Sequence, residues 1–198
     1  SNPGQFVLPH NTFFMNDYII TSYYRDGVLI HDVSDPTNMM EVGRYDTSPL
    51  LSGGGTEGCW GVYPYLPSGV ILASDRENGL FVLNPTYVRG GQLSGKVTNA
   101  VTAANLDNVE VAILGTSVTG NSNVIGDYKL GTLAGTYAVA YSKLGFQSDT
   151  IPGIALSAGG NTIQDVQLTP RDTFTLQGQV VDSVSGLPIA NVKVKIQN

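Results

Sequence analysis

The chain is 198 residues long, room for one domain or two small ones, and carries a net charge of −6 with a pI near 4.6. It has no basic run, so nucleic acid and anionic membranes, which demand clustered Lys and Arg, are poor partners, and no apolar run reaches the length of a membrane span. Only 13% of the residues are charged while 24 are Gly, and Tyr outnumbers Phe by 10 to 6, a balance that favours short strands and tight turns over helices.

The N-terminal Ser1-Asn2-Pro3-Gly4 has neither the basic start nor the apolar core of a signal peptide, so the chain is expected to begin after any processing or partway through a longer product. No window shows a convincing helical period, and the expected fold class is all-β. Tyr18 to Asp32 and Val70 to Asn84 align without a gap at an offset of 52 residues: Ile19 meets Ile71, Ser22 meets Ser74 and Gly27 meets Gly79. Each copy reads strand, polar turn, strand. Asp26-Gly27 and Asn78-Gly79 are hairpin signals, because tight hairpin turns need φ > 0. A hairpin recurring at this interval has the spacing of a propeller blade. Further on, Leu93 to Ile113 and Leu176 to Ile196 align without a gap at an offset of 83, with identities including Gly95/Gly178, Val97/Val180, Asn108/Asn191 and Val109/Val192. In each copy apolar residues alternate with polar ones, as in a strand with one buried face, and the period suits a small β-sandwich.

Two family resemblances rest on these segments. Gly27-Val-Leu-Ile-His-Asp-Val-Ser-Asp-Pro36, continuing through Glu41-Val-Gly-Arg-Tyr-Asp46, resembles the LVIVD repeat. The wider stretch, about residues 5 to 88 with Gly53-Gly-Gly55, Trp60-Gly-Val-Tyr-Pro64 and Gly79-Leu-Phe-Val-Leu83, is similar to the end of choice-of-anchor B family proteins, extracellular bacterial propellers with varied anchoring tails. Residues 91 to 169 resemble the carboxypeptidase regulatory-like domain through Gly95-Lys-Val-Thr98, Gly126-Asp-Tyr-Lys-Leu130, Ala134-Gly-Thr-Tyr137 and Asp165-Val-Gln-Leu168. The resemblances imply a C-terminal portion of a propeller over 1–88, an immunoglobulin-like or prealbumin-like sandwich over 91–169 and the first strands of a second, incomplete sandwich over 174–198. They also suggest a Bacteroidetes-like cargo of type IX secretion.

Candidate chemistry is sparse. Asp26, Asp32, Asp35 and Asp46 fall close together, with Asp75 and Glu77 in the next hairpin. Carboxylates converging on one ion would make a calcium site, and Asp26, Asp32, Asp35 and Asp75 are its candidates. However, Asp in D-G and S-D-P also caps its own backbone, and no D-x-D-x-D-G spacing occurs, so turn capping is the expectation and no cofactor is assigned. His31 alternates with Ile30 in an apolar strand and is matched by Leu83 in the repeat, which reads as packing, while His10-Asn11 is expected to fix a blade turn. Cys59 is the single cysteine, so no intrachain disulfide exists; it reads as a small buried hydrophobe with no evident link to either His. In the Gly-rich segment 53–65, Trp60, Tyr63 and Tyr65 could stack on a sugar or grip a partner, with Tyr24 and Arg25 adding a cation–π surface; Trp60 could equally seal a propeller axis as core. Lys96 raises an isopeptide crosslink, but its repeat equivalent is Gln179, so a solvated strand Lys is expected.

No G-x-S-x-G, Walker, H-E-x-x-H or C-x-x-C motif is present, and the chain is not expected to be an enzyme. The reading is a non-catalytic extracellular or cell-surface structural or interaction protein of bacterial type, with sandwich modules as spacers. Its expected partners are the remainder of a longer parent chain or neighbouring subunits, with a glycan possible. The alternatives are a filament subunit assembled by strand addition through residues 174–198, and an accessory glycan- or protein-binding part of a larger secreted enzyme.

Overall fold

The computed structural model describes residues 7–51, 53–172 and 177–195. The chain is all-β: fifteen strands and no helix among the described residues. The first four strands, β1 (Thr12–Met15), β2 (Tyr18–Ser22), β3 (Val28–Asp32) and β4 (Met40–Tyr45), form an antiparallel meander in sequence order. Asn16 and Asp17 both take positive φ, 50° and 65°, which makes the two-residue turn between β1 and β2. The next strands, β5 (Cys59–Tyr63), β6 (Ile71–Asp75) and β7 (Gly79–Leu83), form a three-stranded antiparallel sheet. The repeated hairpin is therefore β2–β3 in the first sheet and β6–β7 in the second, with Ile20 opposite Ile30 and Leu72 opposite Val82. The two sheets share one core, in which Ile20, Val28, Ile30, Met40 and Val42 meet Cys59, Val62, Ile71 and Ala73.

The second unit is a sandwich. One sheet has the order β10 (Thr119–Asn121), β9 (Glu110–Ile113), β12 (Gly135–Ser142), β13 (Asp149–Leu156). The other is built on β8 (Gly90–Asn99), flanked by β11 (Asp127–Leu133) on one side and by β14 (Asn161–Ile163) and β15 (Val166–Leu168) on the other. Both β14 and β15 run parallel to β8. Leu93, Val97, Val109, Val111, Ile113, Val139, Tyr141 and Leu168 close the core from both sheets. The alternation read at Val109, Val111 and Ile113 does place these side chains inside.

The second sandwich expected over 174–198 falls only partly on described residues. Residues 174–176 and 196–198 lie outside the described residues. Within 177–195 the main chain reproduces the turn that follows β8 at the 83-residue offset. Asp182 N donates to Leu187 O, Gly186 N to Asp182 O and Ile189 N to Val180 O, matching Asn99 to Ala104, Ala103 to Asn99 and Leu106 to Val97. The φ angles match as well: Ala103 58° and Gly186 71°, Asn108 47° and Asn191 60°. One isolated bridge, Val181 to Pro188, corresponds to Thr98 to Asn105. No strand ladder forms among these described residues. Val180, Ile189, Val192 and Val194 are exposed, whereas their counterparts Val97, Leu106, Val109 and Val111 are core.

A built joint connects the first unit to the sandwich. The Asp32 carboxylate, fully buried at the end of β3, accepts from Ser34 N (3.0 Å), from Gly90 N at the start of β8 (2.9 Å) and from the Arg89 guanidinium (3.0 Å). Burial works to raise its pKa, but these hydrogen bonds outweigh it and hold the carboxyl below its usual value. Arg89 also reaches Asp17 at 3.0 Å and lies 5.0 Å over the Tyr18 ring. Met40 fills the seam between the units, where a β-carbon at Gly90 or Gly131 would strike its side chain. The Ser34-Asp35-Pro36 turn completes the joint: Asn38 Nδ2 donates to Leu130 O at 3.0 Å, and Lys129 on β11 pairs with Asp35.

Candidate functional site

The aromatic segment is the surface feature with the most chemistry. A β-bulge between Cys59 and Gly61 breaks the alternation of β5 and re-aims Trp60. Ser22 Oγ holds the Trp60 carbonyl at 3.1 Å. The indole is 47% exposed, with the His10 ring at 4.3 Å, the Tyr24 ring edge-on at 6.1 Å and the Arg76 guanidinium at 5.7 Å. Arg76 is itself fixed by hydrogen bonds to the Thr56 carbonyl and hydroxyl. Further along, Tyr63 and Tyr65 make an edge-on pair at 5.7 Å, Phe13 adds a third ring 5.7 Å from Tyr65, and the Tyr65 hydroxyl donates to Phe14 O at 2.8 Å. The structure thus splits the expected aromatic surface into two clusters, Trp60 with His10 and Arg76, and Tyr63 with Tyr65 and Phe13. Tyr24 is buried beneath Trp60 rather than presented. Arg25 faces Glu57 in a two-pronged ion pair at 2.5 and 3.0 Å, so the cation over the indole is Arg76, which lies in the β6–β7 turn. The sequence offered a signal for Arg76: it falls in the second hairpin copy, one residue beyond Asp75.

The four calcium candidates do not converge, and among the described residues no three His, Cys, Asp or Glu side chains come together. Asp32 belongs to the joint. Asp35 caps Thr37 N at 3.0 Å and accepts from the Thr37 hydroxyl; Lys129 first, then these bonds, hold its carboxyl well below the usual range. Asp75 accepts from Thr47 Oγ1 and Ser48 Oγ, both at 2.6 Å, and from the backbone of Glu77 and Asn78. Burial pushes its pKa up, and these donors pull it below normal. Asn78 Nδ2 returns to Thr47 O at 2.9 Å, so the loop after β4 is clamped into the β6–β7 turn. Asp26 is different: it is fully buried and neither carboxylate oxygen has a hydrogen-bond partner among the described residues.

The remaining candidates occupy structural positions. Cys59 is fully buried; burial first, and the Asp75 charge second, push its thiol up to about 12. His31 is half-buried on β3 between Ile19 and Glu41, and burial lowers its pKa. His10 N and Asn11 N donate to Ser22 O and Ser22 Oγ, extending the β1–β2 ladder. Lys96 Nζ pairs with Asp127 at 2.7 Å and donates to Ile125 O at 2.7 Å, a half-exposed arrangement.

Residues 92–169 match the carboxypeptidase regulatory-like domain. This is the sandwich from β8 to β15. No curated protein matches the chain. Among solved structures, it is similar to a chain of a type II cohesin–X-dockerin complex from Acetivibrio cellulolyticus (TM-score 0.34, 19% identity, 38% of this chain and 52% of that one). It is also similar to a minor pilin of Streptococcus agalactiae (TM-score 0.34, 10% identity, 59% and 66%) and to the major pilin subunit BcpA of Bacillus cereus (TM-score 0.33, 14% identity, 52% and 37%). The chain spans less than two thirds of each of these.

Proposed function

We propose that this chain is part of a non-catalytic bacterial surface or secreted protein, in which a blade unit over residues 7–88 is held on regulatory-like sandwich modules that act as spacers. The observation that carries this reading is the joint. Asp32, Arg89, Met40 and the Ser34-Asp35-Pro36 turn are committed to holding the first unit rigidly on the sandwich, as a spacer requires. Other polar groups have local structural partners: Cys59 is buried with its pKa raised, Asp75 accepts from Thr47 and Ser48, and Lys96 pairs with Asp127. Two packed sheets at a gapless 52-residue interval support reading residues 7–88 as consecutive LVIVD-type blades. The repeated turn at the 83-residue offset supports reading residues 174–198 as the first strands of a second sandwich module. The test is the parent protein in its native host: it should be recovered from the surface or culture medium, and small-angle scattering should give an elongated particle with a ring-shaped head. Recovery from the cytoplasm, or a compact particle without a head, would overturn the reading.

A second reading, an accessory glycan-binding part, is favoured by the half-exposed Trp60 with Arg76 and His10 beside it, since an exposed indole face suits a sugar ring. A glycan array with wild type and Trp60→Ala tests it: binding lost in the variant supports it, and no binding to any glycan removes it.

A further inference from the structure

We propose that the Trp60 cluster is a site for an acidic sugar, a hexuronate ring whose apolar C–H face meets the indole while its carboxylate is taken by the Arg76 guanidinium. The proposal rests on the glycan-binding reading and adds the charge class of the ligand. Its starting point is a cation without a counter-charge. Of the five arginines in the sequence, Arg25 pairs with Glu57, Arg44 with Glu41, and Arg89 with Asp17 and Asp32. Arg76 and Arg171 make no ion pair among the described residues, and of these two only Arg76 lies over an aromatic ring. Two glutamates near it in the fold are engaged elsewhere: Glu57 holds the two-pronged pair with Arg25, and Glu77 Oε2 accepts from Gly58 N at 2.7 Å. The Arg25 hydrogen bond is the main cause of the lowered Glu57 pKa, with the Arg76 charge a smaller one. A chain of net charge −6 does not gather anions at long range. An exposed, unpaired guanidinium beside an aromatic ring is therefore a local feature, not part of a basic surface.

The cation is also held in place. Arg76 Nη1 donates to Thr56 O at 2.5 Å and to Thr56 Oγ1 at 3.2 Å, and Arg76 N donates to Gly58 O at 2.9 Å. Among the described residues no hydrogen bond uses its Nε or Nη2, the side of the guanidinium fork that matches a carboxylate. The indole is fixed by the β5 bulge and by the Ser22 bond to its carbonyl, so neither group has to be ordered when a ligand arrives. The 52-residue register shows that the repeat itself does not require this pair. Carried toward the N-terminus, it places Val7 at Cys59, both buried, and Leu8 at Trp60, both exposed, while Tyr24 stands at Arg76. The first copy thus has an aliphatic side chain and a buried tyrosine where the second has an indole and a guanidinium. An aromatic surface suits the C–H face of a sugar, and a charged donor beside it selects the sugar that carries a carboxylate.

The test is titration calorimetry of the whole chain with oligomers of galacturonate, glucuronate and mannuronate. Each is compared with its own methyl ester, which keeps the ring and removes the charge. At least one acid should bind about tenfold or more tighter than its ester, and less tightly as salt is raised. Arg76→Gln should bring the acid down to the affinity of the ester and leave the ester unchanged, with an unchanged circular dichroism spectrum. Arg76→Lys keeps the charge, loses the fork and should fall between the two. Trp60→Ala should abolish binding of both. Equal binding of acid and ester by the wild type, or an acid preference that survives Arg76→Gln, overturns the proposal and leaves the glycan reading standing. An acid preference untouched by Trp60→Ala, or oligoglutamate bound as tightly as the uronates, also overturns it, because charge alone would then be recognised. Binding to none of the acids removes the proposal, and neutral sugars on the glycan array then decide the broader reading.

Discussion

Replacing Asp32 with Ala should uncouple the first unit from the sandwich. The buried carboxylate satisfies two backbone donors, Ser34 N and Gly90 N, and one guanidinium. Its removal leaves the buried Gly90 N–H without an acceptor, at about 1–3 kcal/mol. The partly buried Ser34 N–H loses its cap, at about 1 kcal/mol. Arg89 keeps Asp17 and partial access to water, so its loss adds little. The total is about 2–4 kcal/mol, which for a chain of this size lowers the melting temperature by roughly 4–16 °C. Scanning calorimetry should show more than a shift. If the joint couples the units, the variant's single transition should split, with the sandwich melting close to its own temperature. The pH dependence has a defined sign. Asp32 has a folded pKa below its unfolded value, so its contribution is fully present above the unfolded value, about 3.9, and is lost as pH falls through the lower folded value. The gap between wild type and Asp32→Asn should therefore be widest at neutral pH and close in acid. A loss under about 1 kcal/mol, with no splitting, would refute the idea that this carboxylate couples the units.

Three further outcomes are expected. Asp26→Asn should raise stability by about 1 kcal/mol in urea titration, because it places the residue found at the matched position, Asn78, where neither buried carboxylate oxygen has a hydrogen-bond partner among the described residues; a fall would mean that the carboxylate is used through its charge near Arg44. Cys59 should resist maleimide at neutral pH in the native state and react fully in denaturant, given its burial and a pKa near 12; fast native labelling would contradict the packed core around β5. Tyr128→Phe should cost about 1–3 kcal/mol by urea melting, since the phenol donates to Gln164 O at 2.6 Å and accepts from the Tyr141 hydroxyl at 2.9 Å inside the sandwich; a neutral substitution would show that this pair is not part of what fixes the two sheets.

What was legible in the sequence was the local chemistry. The hairpins at Asp26-Gly27 and Asn78-Gly79 formed because a Gly with φ of 75° or 83° is written into each. The turn between β1 and β2 went unread because Asn16-Asp17 reaches positive φ without Gly. The joint could not be read at all. Asp32 and Arg89 are 57 residues apart, and the Ser-Asp-Pro turn had a sufficient explanation in its own backbone caps. The aromatic site was found in part. Trp60, Tyr63 and Tyr65 stand at the surface, but the bulge at Cys59–Gly61 decided which way Trp60 points, and an extra residue in a strand is set by pairing with β6. The parallel pairing of β14 and β15 with β8 likewise depends on contacts remote in sequence.

The two repeats separate what a sequence transmits by itself from what it needs neighbours to realise. At the 83-residue offset the second copy makes the same turn, with the same hydrogen bonds and the same left-handed positions. Its Val180 and Ile189 are nonetheless exposed, where Val97 and Leu106 are buried. At the 52-residue offset the hairpins agree pair by pair, yet Leu80 and Val82 face solvent where Val28 and Ile30 face a sheet. Turn geometry costs only the fixing of a few dihedrals and is met by local bonds, so each copy forms it alone. Burial needs a second layer, and two or three strands do not supply one. Turn geometry is thus transmitted by the local sequence, whereas the burial of the same apolar residues is set by what packs on them.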